Sequence, residues 1–276
     1  MIKLGEYNTL TILRETEPGL YLGDAEGNDI LLPHKYKPET YTLGDSIDVF
    51  VYLDHEERPI ATTLEPFIKL NEFGYLHCAA VTEVGAFLDW GLEKQLFVPF
   101  QEQARKMKQG SWYIVYMYLD EVTNRLVASS KTDRFLDNKE LTVSEFEKVS
   151  ILVTHITDKG ANVIINGKHK GLIYLEDIFE DIRTGDRLPA YIKKIRPDNK
   201  IDVVLQEPGY KSIEPNAAYI RSELEAAGGF LPLHDKSDPE EIKNLLGMSK
   251  KSFKKAVGTL FKNRIISIKE DGIELL

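Results

Sequence analysis

Six cationic side chains, Lys250, Lys251, Lys254, Lys255, Lys262 and Arg264, fall between Ser249 and Arg264 with no carboxylate among them. Lys250 with Lys254, and Lys251 with Lys255, stand one helical turn apart, a like-charge spacing that weakens a helix. The stretch is therefore suited to holding anions, phosphates above all; a solvated helix with lysines near its end, where they favour the dipole, is the plainer alternative. A second basic group comprises Lys193, Lys194, Arg196 and Lys200, with Lys168 and Lys170 around a preceding turn and Tyr174 close by. An arginine there can hold a phosphate through two bonds or stack on a planar ring, although charges that protect a sheet edge would look the same. Other chemistry finds no support. The six histidines show no metal-ligand spacing, and Cys78, the single cysteine, can complete neither a zinc site nor an internal disulfide. Neither a phosphate loop nor a nucleophile elbow occurs. The carboxylate pairs Glu56-Glu57 and Glu240-Glu241 read as a turn and a helix start. The expectation is a non-enzyme with no metal and no cofactor.

A net charge of −9 weighs against a polyanionic partner until its distribution is considered. Residues 1–147 hold 14 Lys/Arg against 25 Asp/Glu, whereas residues 148–276 hold 21 against 19. Only the second half offers local basic patches to a phosphate chain. The apolar runs are too short to span a bilayer. Residues 1–6 lack the apolar core of a signal peptide, so a reducing cytoplasm is the expected compartment.

The elements that must position these groups are announced by a repeat. One glycine pair with 24 residues between its members occurs three times: Gly19 with Gly44, Gly85 with Gly110, Gly160 with Gly185. The first two copies are offset by 66 residues and the third follows at 75, which places nine extra residues between copies two and three, in or near 131–148. Within each copy short alternating runs predict strands, such as Val49, Val51 and Leu53 against Phe50 and Tyr52. Turn residues such as Asn166-Gly167 and Pro197-Asp198-Asn199 punctuate them. Many short strands in about 70 residues predict a five-stranded barrel per copy, and closure removes exposed edges. Leu20 and Leu22, like Ala86 and Leu88, face one side, so Tyr21 and Phe87 face the other. Trp90 shares the parity of Leu88 and is assigned to a core.

The succession Val84-Gly85-Ala86-Phe87-Leu88, Leu96-Phe97-Val98-Pro99, Gly110, Leu119-Asp120 and Arg125-Leu126 resembles the S1 domain, an OB-fold RNA-binding module, and the third copy adds Gly171-Leu172-Ile173-Tyr174. Gln206-Glu207-Pro208-Gly209-Tyr210, the segment from Leu231 to Ile242 and the segment from Met248 to Ala256 resemble the bacterial conserved virulence factor B family. The resemblance covers nearly the whole chain and implies three S1-like barrels, a C-terminal winged helix, RNA binding and a part in gene regulation. The expected fold is mostly β with a small α/β end: barrels at residues 1–65, 66–137 and 138–210, then a winged-helix domain at 211–276. On the S1 pattern Tyr21 and Phe87 stand where a base stacks, the third copy having Asn162 there, and Tyr174 replaces the family's histidine. Val84 departs from the second aromatic of that pattern, and Asp89 adds a negative charge beside Phe87.

The C-terminal residues predict the winged helix independently. Asn216 caps a helix through Ala226, Asp238-Pro239 opens a second that ends near Gly247, and Ser249 opens a third. In the third, Phe253, Ala256, Val257, Leu260 and Phe261 form one apolar stripe. Ile265–Ile268 and Ile273–Leu275 then read as a hairpin wing. The leading expectation is single-stranded RNA with weak sequence preference, held by Lys168, Lys170, Tyr174, Lys193, Lys194, Arg196 and Lys200 of the third barrel and by Lys250, Lys251, Lys254 and Lys255, with Tyr21 and Phe87 as stacking residues. Duplex DNA on the basic helix, or ribosomal and translation components on the acidic barrels, are the alternatives; no membrane partner is expected.

Overall fold

The computed structural model describes residues 1–207, 215–269 and 271–276. Pro208-Gly209-Tyr210, the expected boundary at 210 and Glu270 of the wing turn lie outside the described residues.

Three closed barrels follow one another. The first contains β1 (Tyr7–Thr16), β2 (Gly19–Gly23), β3 (Asp29–Pro33), β4 (Ser46–Leu53) and β5 (Pro59–Thr62); the second contains β6 (Phe73–Val81), β7 (Gly85–Asp89), β8 (Leu96–Pro99), β9 (Trp112–Asp120) and β10 (Arg125–Ser129); the third contains β11 (Lys148–Thr157), β12 (Gly160–Ile165), β13 (His169–Tyr174), β14 (Arg187–Ile195) and β15 (Ile201–Val204). In each, the strands run in the order first, second, third, fifth, fourth and back to the first. A short parallel pairing of third and fifth strands completes the ring, as at Leu31 with Ile60, Phe97 with Val127 and Gly171 with Ile201.

The repeated glycine pair is the geometry of closure. A Cβ on Gly19, Gly85 or Gly160 would lie 2.1, 2.5 or 1.9 Å from the carbonyl oxygen of Leu32, Val98 or Ile173 on the neighbouring strand. Only glycine permits this approach. The second glycine of each pair donates its N–H to the first strand, Gly44 to Ile12, Gly110 to Cys78 and Gly185 to Val153, at 2.8, 2.9 and 2.8 Å. Immediately beyond each acceptor the first strand carries a bulge, between Ile12 and Arg14, Cys78 and Ala80, and Val153 and His155. The bulge bends the strand so that it pairs with two neighbours around the ring.

The barrels are not beads on a string. Phe50 and Tyr52 of β4, which alternate with Val49 and Val51, are buried together with them. Their rings meet Trp90 edge-on at 5.9 and 6.2 Å, in a core that the first two barrels share. Trp90 is thus core as expected, but core between barrels. The nine extra residues form a strap from barrel two to barrel three. Phe135 stacks on Tyr116 at 4.0 Å, Arg134 pairs with the buried Glu102, and Asn138 bonds the backbone of Lys170 and Asn199. His169, also buried, accepts the Thr142 N–H at 3.1 Å through Nε2, so its proton sits on Nδ1 and is donated to the Asp137 carbonyl.

The last domain has its own core. It comprises α1 (Pro215–Ala226), β16 (Phe230–Leu231), α2 (Pro239–Leu246), α3 (Lys250–Lys262), β17 (Ile266–Ile268) and β18 (Ile273–Leu275). Asp238 and Ser249 cap α2 and α3, accepting from the N–H groups of Glu240 and Ser252, and Gly247 ends α2 in the left-handed conformation. The hairpin of β17 and β18 is present as expected; two expectations differ and one strand is added. Asn216 is not a cap, because α1 already begins at Pro215. Phe261 is 54% exposed while Phe253, Ala256, Val257 and Leu260 are buried; at 100° per residue it lies about a quarter-turn from the centre of that stripe, in the last turn of the helix. β16, two residues long, pairs with β18 and makes the wing three-stranded, a strand too short for any periodicity to announce.

Candidate nucleic-acid interface

The second and third strands of each barrel present one outward cross-strand pair at the same register: Tyr21 with Leu31, Phe87 with Phe97, Asn162 with Leu172. Only the middle barrel has two rings there. Their centroids are 5.1 Å apart at 37°, both half-buried, an open platform of π surface. Tyr21 has its ring occupied by the Arg14 guanidinium at 4.1 Å, and Asn162 faces the His155 ring nitrogen at 3.3 Å. The sequence placed Phe87 on this face. Phe97, its partner, has the same parity and was missed because Leu31 and Leu172 hold that position in the other copies.

Phe87 and Phe97 help line a cleft of about 670 Å³ that is also lined from barrel one by Leu53, at the end of β4, and by His55 and Glu57 of the β4–β5 turn. Lys94 spans the two barrels, bonding Glu57 at 2.9 Å and the Asp54 carbonyl at 2.7 Å, and Arg125 approaches Glu57 at 3.4 Å. Glu93 at the rim is paired with Lys35, which holds its carboxyl below the usual carboxylate range. The cleft has apolar, stackable surfaces, and the charges along it, Lys94 and Arg125 with Glu57, and Glu93 with Lys35, are paired; aromatic faces of this kind accept any base. No sequence signal joins residues 53–57 to residues 87–97, since the contact exists only through barrel packing.

The basic group on barrel three is largely paired with carboxylates. Lys170 meets Asp133 at 2.8 Å, Lys193 meets Asp177 at 2.5 Å, Lys200 meets Asp198 at 2.6 Å, and Arg196 meets Asp202 at 3.0 Å while also donating to the Tyr174 hydroxyl. Asp202 first, and then Tyr174, raise the Arg196 pKa above its ordinary value. Lys168 and Lys194 carry no ion pair among the described residues and are exposed. The exposed pairs of Lys170 and Lys200 are weak and can exchange a carboxylate for a phosphate, whereas Asp202 is buried and Asp177 largely so, which holds Arg196 and Lys193 to them; all four pairs lower the field that the sequence implied.

On α3 the lysines divide. Lys250 donates to the Ser237 carbonyl at 2.7 Å, tying the helix start to the loop before α2. Lys251, Lys254 and Lys255 are exposed, and the exposed Phe261 lies on the Lys250–Lys254 side of the helix. A Cβ on Gly258 would meet nothing within 4 Å, so nothing inside the fold requires glycine there. Among the described residues no three His, Cys, Asp or Glu side chains converge as metal ligands, and no helix is long and apolar enough to cross a membrane.

Family models match at both ends of the chain: an S1 domain over residues 4–64 and a CvfB-like winged helix domain over residues 218–275. The protein YitL of Bacillus subtilis is 29% identical over 278 residues, covering 94% of this chain and 89% of its own. Conserved virulence factor B of Staphylococcus saprophyticus is 26% identical over 242 residues, covering 84% and 80%. Among solved structures, a multidomain protein with nucleic acid binding domains from Streptococcus pneumoniae is 25% identical and matches 99% of this chain and 98% of that one, with a TM-score of 0.46.

Proposed function

We propose that this chain, built from the S1-like barrels and winged helix of the conserved virulence factor B family, binds single-stranded RNA with weak sequence preference. Its role is non-catalytic and cytoplasmic, in the regulation of gene expression. The observation that carries the reading is the Phe87–Phe97 pair beside the cleft: a single-stranded base can be splayed onto such rings, whereas a duplex keeps its bases stacked on one another. Lys251 and Lys254 on α3, with Lys168 and Lys194 on barrel three, supply phosphate contacts; Lys255, Lys170 and Lys200, which already have partners, join by partner exchange, while Lys193 and Arg196 keep the carboxylates that hold them. The stacking site thus belongs to barrel two, while the phosphate contacts belong to barrel three and the winged helix.

The test is fluorescence anisotropy with labelled single-stranded RNA. Phe87→Ala and Phe97→Ala are each expected to weaken binding by about 1–3 kcal/mol. Both rings lie outside the barrel cores but are partly buried against each other, so a moderate fall in melting temperature accompanies the loss of binding. Full affinity in both variants would remove the platform from the reading.

The exposed basic face of α3 also favours a second reading, in which this helix enters the major groove of duplex DNA. Salt dependence separates the two. In Lys251→Gln/Lys254→Gln the log–log slope of affinity against salt should flatten by about 1.4 for single-stranded RNA, at roughly 0.7 per phosphate. If the slope changes for duplex DNA and not for RNA, α3 is a DNA helix.

A further inference from the structure

The turn that enters each barrel's first strand contains a residue in the left-handed conformation, and its three copies differ in a telling way. Gly5, Asn71 and Phe146 have φ of 75°, 62° and 70°. Each donates its N–H to the fourth strand, to Val51, Met117 and Ile192 at 2.7, 2.9 and 2.8 Å, and each is followed by a glutamate carbonyl that takes the return bond from the same strand residue. The first two identities have local explanations. A Cβ on Gly5 would lie 2.9 Å from Leu126 of barrel two. Asn71 tolerates this backbone better than most residues and accepts the Tyr116 hydroxyl at 3.3 Å. Phe146 has neither reason. It is a bulky side chain in a conformation that costs an L-residue about 1–2 kcal/mol, it is 64% exposed, and it makes no ring contact among the described residues.

Two exposed cations lie near it along the β11–β14 strand pair. Lys148, two residues on, and Lys194, two residues beyond the hydrogen-bond partner Ile192, are exposed and carry no ion pair among the described residues. Two carboxylates also flank the ring: Glu145 accepts the Ile195 N–H and Glu147 accepts the Ser144 N–H, both at 2.8 Å, bonds that fix these side chains against the backbone while leaving them charged. The exposed ring is held in a conformation that costs stability, and strain of this kind concentrates where a ligand is held.

We propose that Phe146 is a second base-stacking platform, away from the paired second and third strands of any barrel, holding a nucleobase of single-stranded RNA whose flanking phosphates rest on Lys148 and Lys194. The inference rests on the RNA-binding reading. It places the strand across the β11–β14 side of barrel three.

The test uses the full chain and a fluorescein-labelled single-stranded RNA of mixed sequence. Phe146→Asn installs the residue of the second copy and relieves the strain. It should lower affinity by on the order of fivefold or more, while the thermal midpoint of barrel three stays or rises by about 2–4 °C. Phe146→Trp should retain affinity, and ultraviolet crosslinking of the wild type should mark the peptide containing Phe146. A lowered midpoint in Phe146→Asn together with unchanged affinity would make the ring a packing element and overturn the proposal. Unchanged affinity with an unchanged midpoint, while Phe87→Ala weakens binding, would overturn it and leave the function standing; that result points to a protein partner for the ring. A wild type that does not bind RNA overturns both.

Discussion

Gly160→Ala is expected to destabilise the third barrel by on the order of 3 kcal/mol or more. The added Cβ would lie 1.9 Å from the Ile173 carbonyl oxygen and 2.9 Å from its carbon, inside any allowed contact, and the backbone there has φ of 144°. Relief requires β12 and β13 to separate where Gly160 pairs with Tyr174, at the end of the ladder. Because the ring of strands is closed, that opening propagates into the parallel contact between β13 and β15. Gly167→Ala is the control: its φ is 67°, but a Cβ there meets nothing within 4 Å, so only the conformational cost of about 1 kcal/mol applies. Urea unfolding followed by amide exchange in barrel three should separate the two variants. Equal midpoints would mean that the close approach is not structural.

Trp90→Ala should cost about 3–5 kcal/mol and divide the melting of the first two barrels into separate transitions. The indole is 2% exposed, touches Phe50 and Tyr52 of barrel one with its edges, and donates Nε1–H to the Lys94 carbonyl at 2.5 Å. Alanine leaves a cavity on the shared surface and an unpaired carbonyl, and the collapse that follows carries Lys94 away from Glu57. The cleft wall formed by Leu53 and His55 then loses its register against Phe87 and Phe97, so RNA affinity should fall with coupling between the barrels. Calorimetry of the full chain reads the first effect and anisotropy the second. One undivided transition at the wild-type temperature would show that the barrels fold independently of this contact.

Both variants act on features of different visibility. The glycine that Gly160→Ala removes announces itself in the sequence, because the close approach recurs at a fixed spacing and no other residue satisfies it. The same holds for alternation in β2 and β7, where the buried Leu20, Leu22, Ala86 and Leu88 fix Tyr21 and Phe87 outside. It holds also for Asp238, Gly247 and Ser249 at the ends of α2 and α3. Each of these signals is a backbone requirement met within one strand pair or one helical turn, so it is written in adjacent residues.

What alternation cannot say is whether an outward face stays outside. Phe50 and Tyr52 have the same outward parity in their barrel as Phe97 has in the next, yet they are sealed by Trp90 while Phe97 borders a cleft. Parity refers each side chain to the axis of its own barrel, and only the docking of one barrel on another decides which outward rings meet protein and which meet solvent. Charge behaves in the same way. The lysines of barrel three look like a free basic surface in the sequence, but Lys170 finds Asp133 across the strap and Lys193 finds Asp177 across the barrel. A field depends on distances between side chains that folding brings together, so the barrels, the winged helix and the inventory of rings and cations are written along the chain, while packing selects which of them stay open to a ligand.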